Sequence, residues 1–132
     1  MSITVSTRST EGFESTSTIR AFALDIDPTG EGAPDTLESL LSAYAACYIP
    51  ALRVGAERAD VSELGTIEIE AEGDTNDDGK LESITFTVTT DTGLDADDAN
   101  ATVARANALC KVHDALKGEL HATVTIDGHQ LD

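Results

Sequence analysis

Apolar residues recur along this chain with two periods, and the switches between them outline its elements. Ile3 and Val5 alternate with Ser and Thr over residues 2–7, which predicts a strand. Gly12 marks a turn. Residues 13–26 predict a longer extended segment. Its later half sets Arg20, Phe22, Leu24 and Ile26 on one side and Ile19, Ala21 and Ala23 on the other. The stretch from Pro28 to Pro34 has loop composition. Asp35 is then a good helix N-cap, and Glu38 completes a capping-box pattern three residues on. Leu37, Leu40, Leu41, Tyr44, Cys47 and Tyr48 follow at helical spacing, among small residues (Ser42, Ala43, Ala45, Ala46) that let another element approach. Pro50 lacks an N–H and is expected to kink or end this helix, with a further helical stretch to about Glu57.

The second half opens with alternation. Ile67, Ile69 and Ala71 oppose Glu68, Glu70 and Glu72 within residues 64–72. Ile84, Phe86 and Val88 oppose Thr85, Thr87 and Thr89 within 81–90. One wet and one dry face per strand predicts an antiparallel hairpin, closed by Gly73 to Lys80. Asp95, Asp97 and Asp98 place negative charge at the start of a second helix, where the dipole favours it. Ala99, Thr102, Val103, Ala106 and Cys110 share its apolar stripe, and the pattern leaves open whether that helix runs through Cys110 or a new one begins there. Gly118 is a natural C-cap, Leu120, Ala122, Val124 and Ile126 predict a last strand over 119–126, and the tail to Asp132 is expected to fray. No internal repeat or linker interrupts this order, so a single α+β domain over 1–132 is the economical reading.

Composition changes the picture in one respect. With 132 residues and 40% hydrophobic, the chain can build a core, yet 25 acidic residues face 8 basic ones for a formal charge of −17. Such a surface repels nucleic acid and anionic membranes, so neither is an expected partner. At about 1 M salt the Debye length falls to roughly 3 Å and self-repulsion is screened, so the charge predicts work in a salty cytoplasm. The few lysines (Lys80, Lys111, Lys117) and few aromatic residues fit that expectation. No apolar run approaches the roughly 20 residues of a membrane span, and the N-terminus lacks a signal-peptide pattern, which predicts a cytoplasmic protein.

Cys47 and Cys110 are the main reactive candidates. They lie too far apart in sequence for a Cys-x-x-Cys redox motif or a zinc knuckle, so only the fold can join them. Joined, they make a two-thiol redox site; apart, they are two small core residues, a common fate of free cysteine. A functional thiol needs a lowered pKa, which a nearby arginine can supply. The chain has Arg8, Arg20, Arg53, Arg58 and Arg105, and Arg20 stands out mid-strand among Ile19, Phe22 and Leu24. Cys110 and His113 alone make a weak metal half-site, and His121 and His129 read as surface residues. Asp74, Asn76 and Asp78 match the first half of a calcium loop, but Thr85 stands where the bidentate carboxylate belongs, so an acidic hairpin turn is the better reading. No metal or cofactor is expected.

The run from Asp35 to Cys47 and the run from Ala108 through Cys110 to Ile126, taken with the order of the elements around them, resemble the OsmC/Ohr family of small thiol-dependent peroxidases. The resemblance spans nearly the whole chain. It implies an OsmC-like fold, with antiparallel sheets packed around a long central helix in an intertwined homodimer. It implies that Cys47 attacks the O–O bond of an organic hydroperoxide and that Cys110 resolves the sulfenic acid as a disulfide, later reduced by a thiol reductant. It also implies an assisting arginine, matched to Arg20, and an assisting glutamate. The family's glutamate position holds Leu37 here, with Glu38 one residue later; nine residues put Glu38 about 180° around a straight helix from Cys47, which suits capping better than catalysis. Lys111 replaces the family's proline after the second cysteine. The expected function is therefore a peroxidase using Cys47 and Cys110, with Arg20 and Glu38 as assisting candidates. The alternatives are a redox-sensing or small-ligand-binding module of the same fold, or a protein whose thiols are inert.

Overall fold

A computed structural model describes residues 1–131, in two compact units, Met1–Leu40 and Leu41–Asp132. The first unit holds a three-stranded antiparallel sheet in the order β1 (Ser6–Arg8), β2 (Ser15–Ile19), β3 (Phe22–Ile26). The first strand thus starts later than the Ile3–Val5 alternation predicts, and both residues stay exposed. The extended segment predicted over 13–26 is instead a hairpin, in which Ile19 pairs with Phe22 across a two-residue turn at Arg20 and Ala21. Arg20 has φ 55°, so it is a turn residue rather than the mid-strand residue expected, and its guanidinium lies 5.1 Å over the Phe22 ring. The sheet buries little: on β3, Phe22 is 62% exposed and Leu24 44%. Buried Asp27 organises the following loop by accepting from the Thr29 N–H and hydroxyl and the Gly32 N–H.

Helix α1 (Thr36–Arg58) starts on the predicted box: the Asp35 carboxylate accepts the Glu38 N–H at 2.7 Å, and Glu38 Oε1 accepts the Asp35 N–H at 2.9 Å. Pro50 neither ends nor splits it. Tyr44 and Tyr48 before the proline and Ala51, Leu52, Gly55 and Ala56 after it are all buried, so packing on both sides outweighs one lost hydrogen bond.

The second unit's sheet runs β4 (Ile67–Thr75), β5 (Leu81–Thr90), β6 (Thr123–Ile126), β7 (His129–Leu131). The β4–β5 hairpin is antiparallel and closes on Asn76, whose side chain accepts the Asp78 and Lys80 N–H groups. Strand β6 pairs with β5 in parallel, so this sheet is mixed rather than antiparallel throughout. The intervening helices α2 (Ala96–Leu109) and α3 (Lys111–Ala115), with a 3₁₀ turn at Gly118–Leu120, form the crossover that a parallel pairing requires. Gly118 opens that turn instead of capping a helix, since α3 already ends at Leu116. Val124 and Ile126 of β6, with Ile84, Phe86 and Val88 of β5, turn inward with Tyr44, Tyr48 and Leu52 of α1.

The tail is ordered to Leu131, because Asp127 and Gly128 form a tight turn (φ 48° and 86°) that folds β7 back onto β6. Asp132 lies outside the described residues. The Asp127 carboxylate accepts from the Thr90 N–H, the Thr90 hydroxyl and the Leu94 N–H at 2.6–2.9 Å. Half-buried His129 donates from Nε2 to the Leu94 carbonyl, so it is not the plain surface residue expected. Burial works against the Asp127 charge, but these donors and His129 outweigh it and hold its pKa below the ordinary 3.8. A depressed carboxylate adds stability above its unfolded value that is lost as pH falls through the folded value. Asp127→Asn should therefore lower the urea midpoint at neutral pH, with the difference from wild type shrinking as pH falls below 3.8 towards the folded value. An unchanged neutral midpoint would remove the staple role.

Candidate functional site

Residues at the middle of α1 and at the α2–α3 junction build the site. Cys47 sits half-buried on the apolar stripe of α1. Cys110 is buried and belongs to both later helices: it is the C-cap of α2 and the N-cap of α3. The alternatives left open by the periodicity are thus resolved by a break at the cysteine itself. Its backbone there is extended (φ −72°, ψ 115°), and its sulfur accepts the His113 N–H at 3.5 Å. Such a break leaves the first amides of α3 without partners inside the helix.

Those amides face the first thiol. The Val112 and Lys111 N–H groups and the Cys110 thiol lie near enough to the Cys47 sulfur to favour its thiolate. Folding therefore brings the two cysteines together, and both are free thiols. Burial opposes a Cys47 thiolate, but the Val112 N–H, the Cys110 thiol, the Lys111 N–H and the Lys111 charge outweigh it, and the Cys47 pKa lies below an ordinary thiol's. Burial pushes the Cys110 thiol up; the His113 N–H only partly offsets this, and the neighbouring Cys47 sulfur pushes it further. One thiol is set to ionise and the other to keep its proton.

Two tyrosines line the same helix face. Tyr44 and Tyr48 are fully buried and pack their rings on Phe86 at 4.6 and 5.2 Å between centroids. Each polar tip has a partner, as burial demands. Tyr48 donates to Asn107 Oδ1 at 2.7 Å. Tyr44 Oη accepts the Ala122 N–H at 3.0 Å and lies 2.6 Å from His113 Nδ1. Burial raises both phenol pKa values. The His113 ring also stacks on His121, 3.8 Å between centroids and 23° between planes. His121 is exposed, as expected, yet it is tied to this network.

Sequence reasoning found both cysteines and missed this tyrosine–histidine network. The one available signal was a pair of tyrosines flanking Cys47 on a helix otherwise rich in small residues. Of the other candidates, Glu38 engages Asp35 in the α1 cap and Arg20 lies in the β2–β3 turn. Among the described residues no three His, Cys, Asp or Glu groups gather as a metal site, and no helix is long and apolar enough to cross a membrane.

Comparison with known proteins adds the lineage. A protein of Haloferax volcanii is 40% identical over 126 residues, covering 96% of each chain. The OsmC-like protein of Mycoplasma pneumoniae superposes with a TM-score of 0.77 at 16% identity, over 96% of this chain and 97% of that one. The organic hydroperoxide resistance protein OhrB of Bacillus subtilis gives 0.71 at 21% identity, over 96% and 98%. A putative organic hydroperoxide resistance protein of Vibrio cholerae, with captopril bound in one of its active sites, gives 0.70 at 20% identity, over 97% and 94%. These likenesses establish an α+β OsmC-like fold. The family model described as OsmC-like protein matches residues 28–125, a span that takes in both cysteines, and this chain belongs to that family.

Proposed function

We propose that this protein is a thiol-dependent peroxidase that reduces organic hydroperoxides through Cys47 and Cys110. The observation that carries the reading is that the fold sets two free thiols side by side, and the lowered pKa of Cys47 and raised pKa of Cys110 support their separate roles. The Cys47 thiolate attacks the terminal oxygen of the hydroperoxide. An S–O bond forms, the O–O bond breaks, and the departing alkoxide takes a proton to become the alcohol. Cys110 then attacks the sulfenic sulfur, an S–S bond forms and water leaves. A dithiol reductant returns the pair to thiols by exchange. The sum is hydroperoxide plus dithiol giving alcohol, water and disulfide. The hydroperoxide resistance proteins that share the fold support this chemistry. Arg20 and Glu38 enter it only as the charged groups that the family resemblance assigns. Consumption of cumene hydroperoxide with a dithiol tests the reading, and wild-type protein that consumes none would overturn it.

A second reading rests on Glu38. Its carboxylate is taken up by the α1 cap, and Leu37 occupies the family's glutamate position. On that reading the protein is a redox sensor or ligand-binding module: peroxide closes a reversible Cys47–Cys110 disulfide without sustained turnover. On this reading mass spectrometry of peroxide-treated protein should show the disulfide while dithiol-dependent consumption of cumene hydroperoxide stays at background; sustained consumption would remove it.

The working form in this proposal is a cytoplasmic homodimer of single-domain chains in concentrated salt. Phe13, Phe22 and Leu24 are exposed in the first unit, apolar surface that an interface could cover. A second copy is the occupant that fits. The charge of −17 implies that the fold strengthens with salt. Scattering mass and thermal midpoint, measured in dilute buffer and in molar KCl, should give a dimer and a higher midpoint in KCl. Equal midpoints would remove the salt claim, and a monomer in both would remove the dimer.

A further inference from the structure

We propose that His113 is a positioning residue for the thiol pair: tied to Tyr44 and stacked on His121, its neutral ring fixes the turn that presents Cys110 and the amides facing Cys47.

Hydrogen-bond logic sets the protons. The Ala122 amide can only donate, so Tyr44 Oη accepts it at 3.0 Å, and the arrangement that leaves the buried Tyr44 hydrogen a partner has it donate to His113 Nδ1 at 2.6 Å. His113 therefore accepts at Nδ1 and carries its proton on Nε2. The Leu116 carbonyl can only accept, so His121 donates to it from Nε2 at 3.1 Å. Three elements meet here: Tyr44 from α1, His113 from α3, and His121 with Ala122 just before β6. The tether acts on the site through the backbone. His113's own N–H caps Cys110 Sγ at 3.5 Å, and the N–H groups of the two residues before it are near enough to Cys47 to lower its thiol pKa. Holding the His113 side chain holds all three amides.

Protonating His113 undoes this arrangement. An imidazolium has no acceptor at Nδ1, so the fully buried Tyr44 hydroxyl loses the partner for its hydrogen. A positive ring 3.8 Å from His121 also repels any charge there. Apart from Tyr44 and His121, the titratable groups near the ring are Asp114 on its own helix and Cys110, which its N–H caps. Burial and His121 disfavour the charged ring; Asp114 favours it, but less. The neutral, positioning form is thus the stable one near neutral pH.

The inference rests on the disulfide of the proposed cycle and not on peroxide turnover, so its test uses diamide. That reagent takes two electrons and two protons from the thiols and becomes a hydrazine. The rate of Cys47–Cys110 disulfide closure is followed across pH and divided by the Cys47 thiolate fraction from alkylation. In wild type this normalised rate should fall several-fold as the His113 ring titrates, read by NMR of its ring protons. His113→Asn, whose Oδ1 can accept from Tyr44 without titrating, should remove that fall. His113→Ala should close several-fold more slowly at every pH. Superimposable normalised profiles for wild type and His113→Asn would overturn the proposal. A second readout needs no disulfide: Tyr44→Phe removes the bond to the neutral ring and should raise the His113 titration, and an unmoved titration in a folded variant would equally overturn it. If diamide closes no disulfide, the two-cysteine cycle fails by itself, and the NMR arm still decides the tether.

Discussion

Cys47→Ser is expected to reduce dithiol-dependent hydroperoxide consumption to the uncatalysed background, a loss of at least about 10³-fold. A serine hydroxyl in the same place stays protonated at neutral pH, because the Val112 and Lys111 amides and one ammonium cannot bring an alcohol into the physiological range. Cys110→Ser should behave differently. Its Cys47 retains both facing amides and attacks one equivalent of peroxide, but no thiol faces the sulfenic acid that forms. The expected trace is a burst of one equivalent per chain followed by slow turnover, with the sulfenic acid captured by a dione reagent. The expected asymmetry between the variants follows from the asymmetry between the thiols: the half-buried Cys47 sulfur is favoured as thiolate and the buried Cys110 sulfur as thiol. Equal, complete loss in both variants would mean that attack needs both sulfurs at once. Unchanged consumption in Cys47→Ser would remove the thiol from the chemistry altogether.

Local features of this fold were legible in the sequence because their causes are local. The Asp35–Glu38 box depends on side chains reaching amides three residues away, and the acidic start read for α2 holds Asp95, which accepts the Asp98 N–H at 2.9 Å. The β5 strand was legible to the residue, since its alternation ends where its ladder ends. The β2–β3 turn was hidden because Arg20-Ala21 contains no glycine, asparagine or proline, and a positive φ at arginine leaves no compositional trace. The last hairpin was hidden for the opposite reason: Asp127-Gly128 is a strong turn signal, but so close to the C-terminus it read as the start of a frayed tail. At the site, both cysteines were visible as residue types, while their juxtaposition is a tertiary fact that periodicity cannot carry. The Tyr44–His113 bond was the least legible. A tyrosine on an apolar stripe counts as core by pattern, and only the fold reveals what its hydroxyl meets.

Gly55→Val is expected to cost about 3 kcal/mol or more of stability, a large part of what a small domain has to lose. A Cβ on Gly55 would stand 2.8 Å from the Thr102 carbonyl, 3.2 Å from the Ala106 nitrogen and 3.3 Å from the Arg105 Cβ. Two of these are backbone atoms of α2, so no rotamer change relieves the clash; α1 and α2 must part. Gly55→Ala brings the same first clash but regains about 1 kcal/mol of helix propensity, so its net cost should be smaller. Chemical denaturation of both variants checks the order, and an alanine variant less stable than the valine one would show that α2 yields more easily than its backbone suggests. The consequence reaches the thiols because the same two helices carry them. Cys47 lies eight residues before Gly55, about 12 Å along α1, and Cys110 caps α2 four residues after Ala106, about 6 Å along it. Parting the helices at Gly55 should therefore widen the gap between the sulfurs and slow disulfide closure in the fraction of Gly55→Ala that remains folded. A destabilised alanine variant that closes its disulfide at the wild-type rate would show that the α3 turn, and not the α1–α2 contact, sets the distance between the two sulfurs.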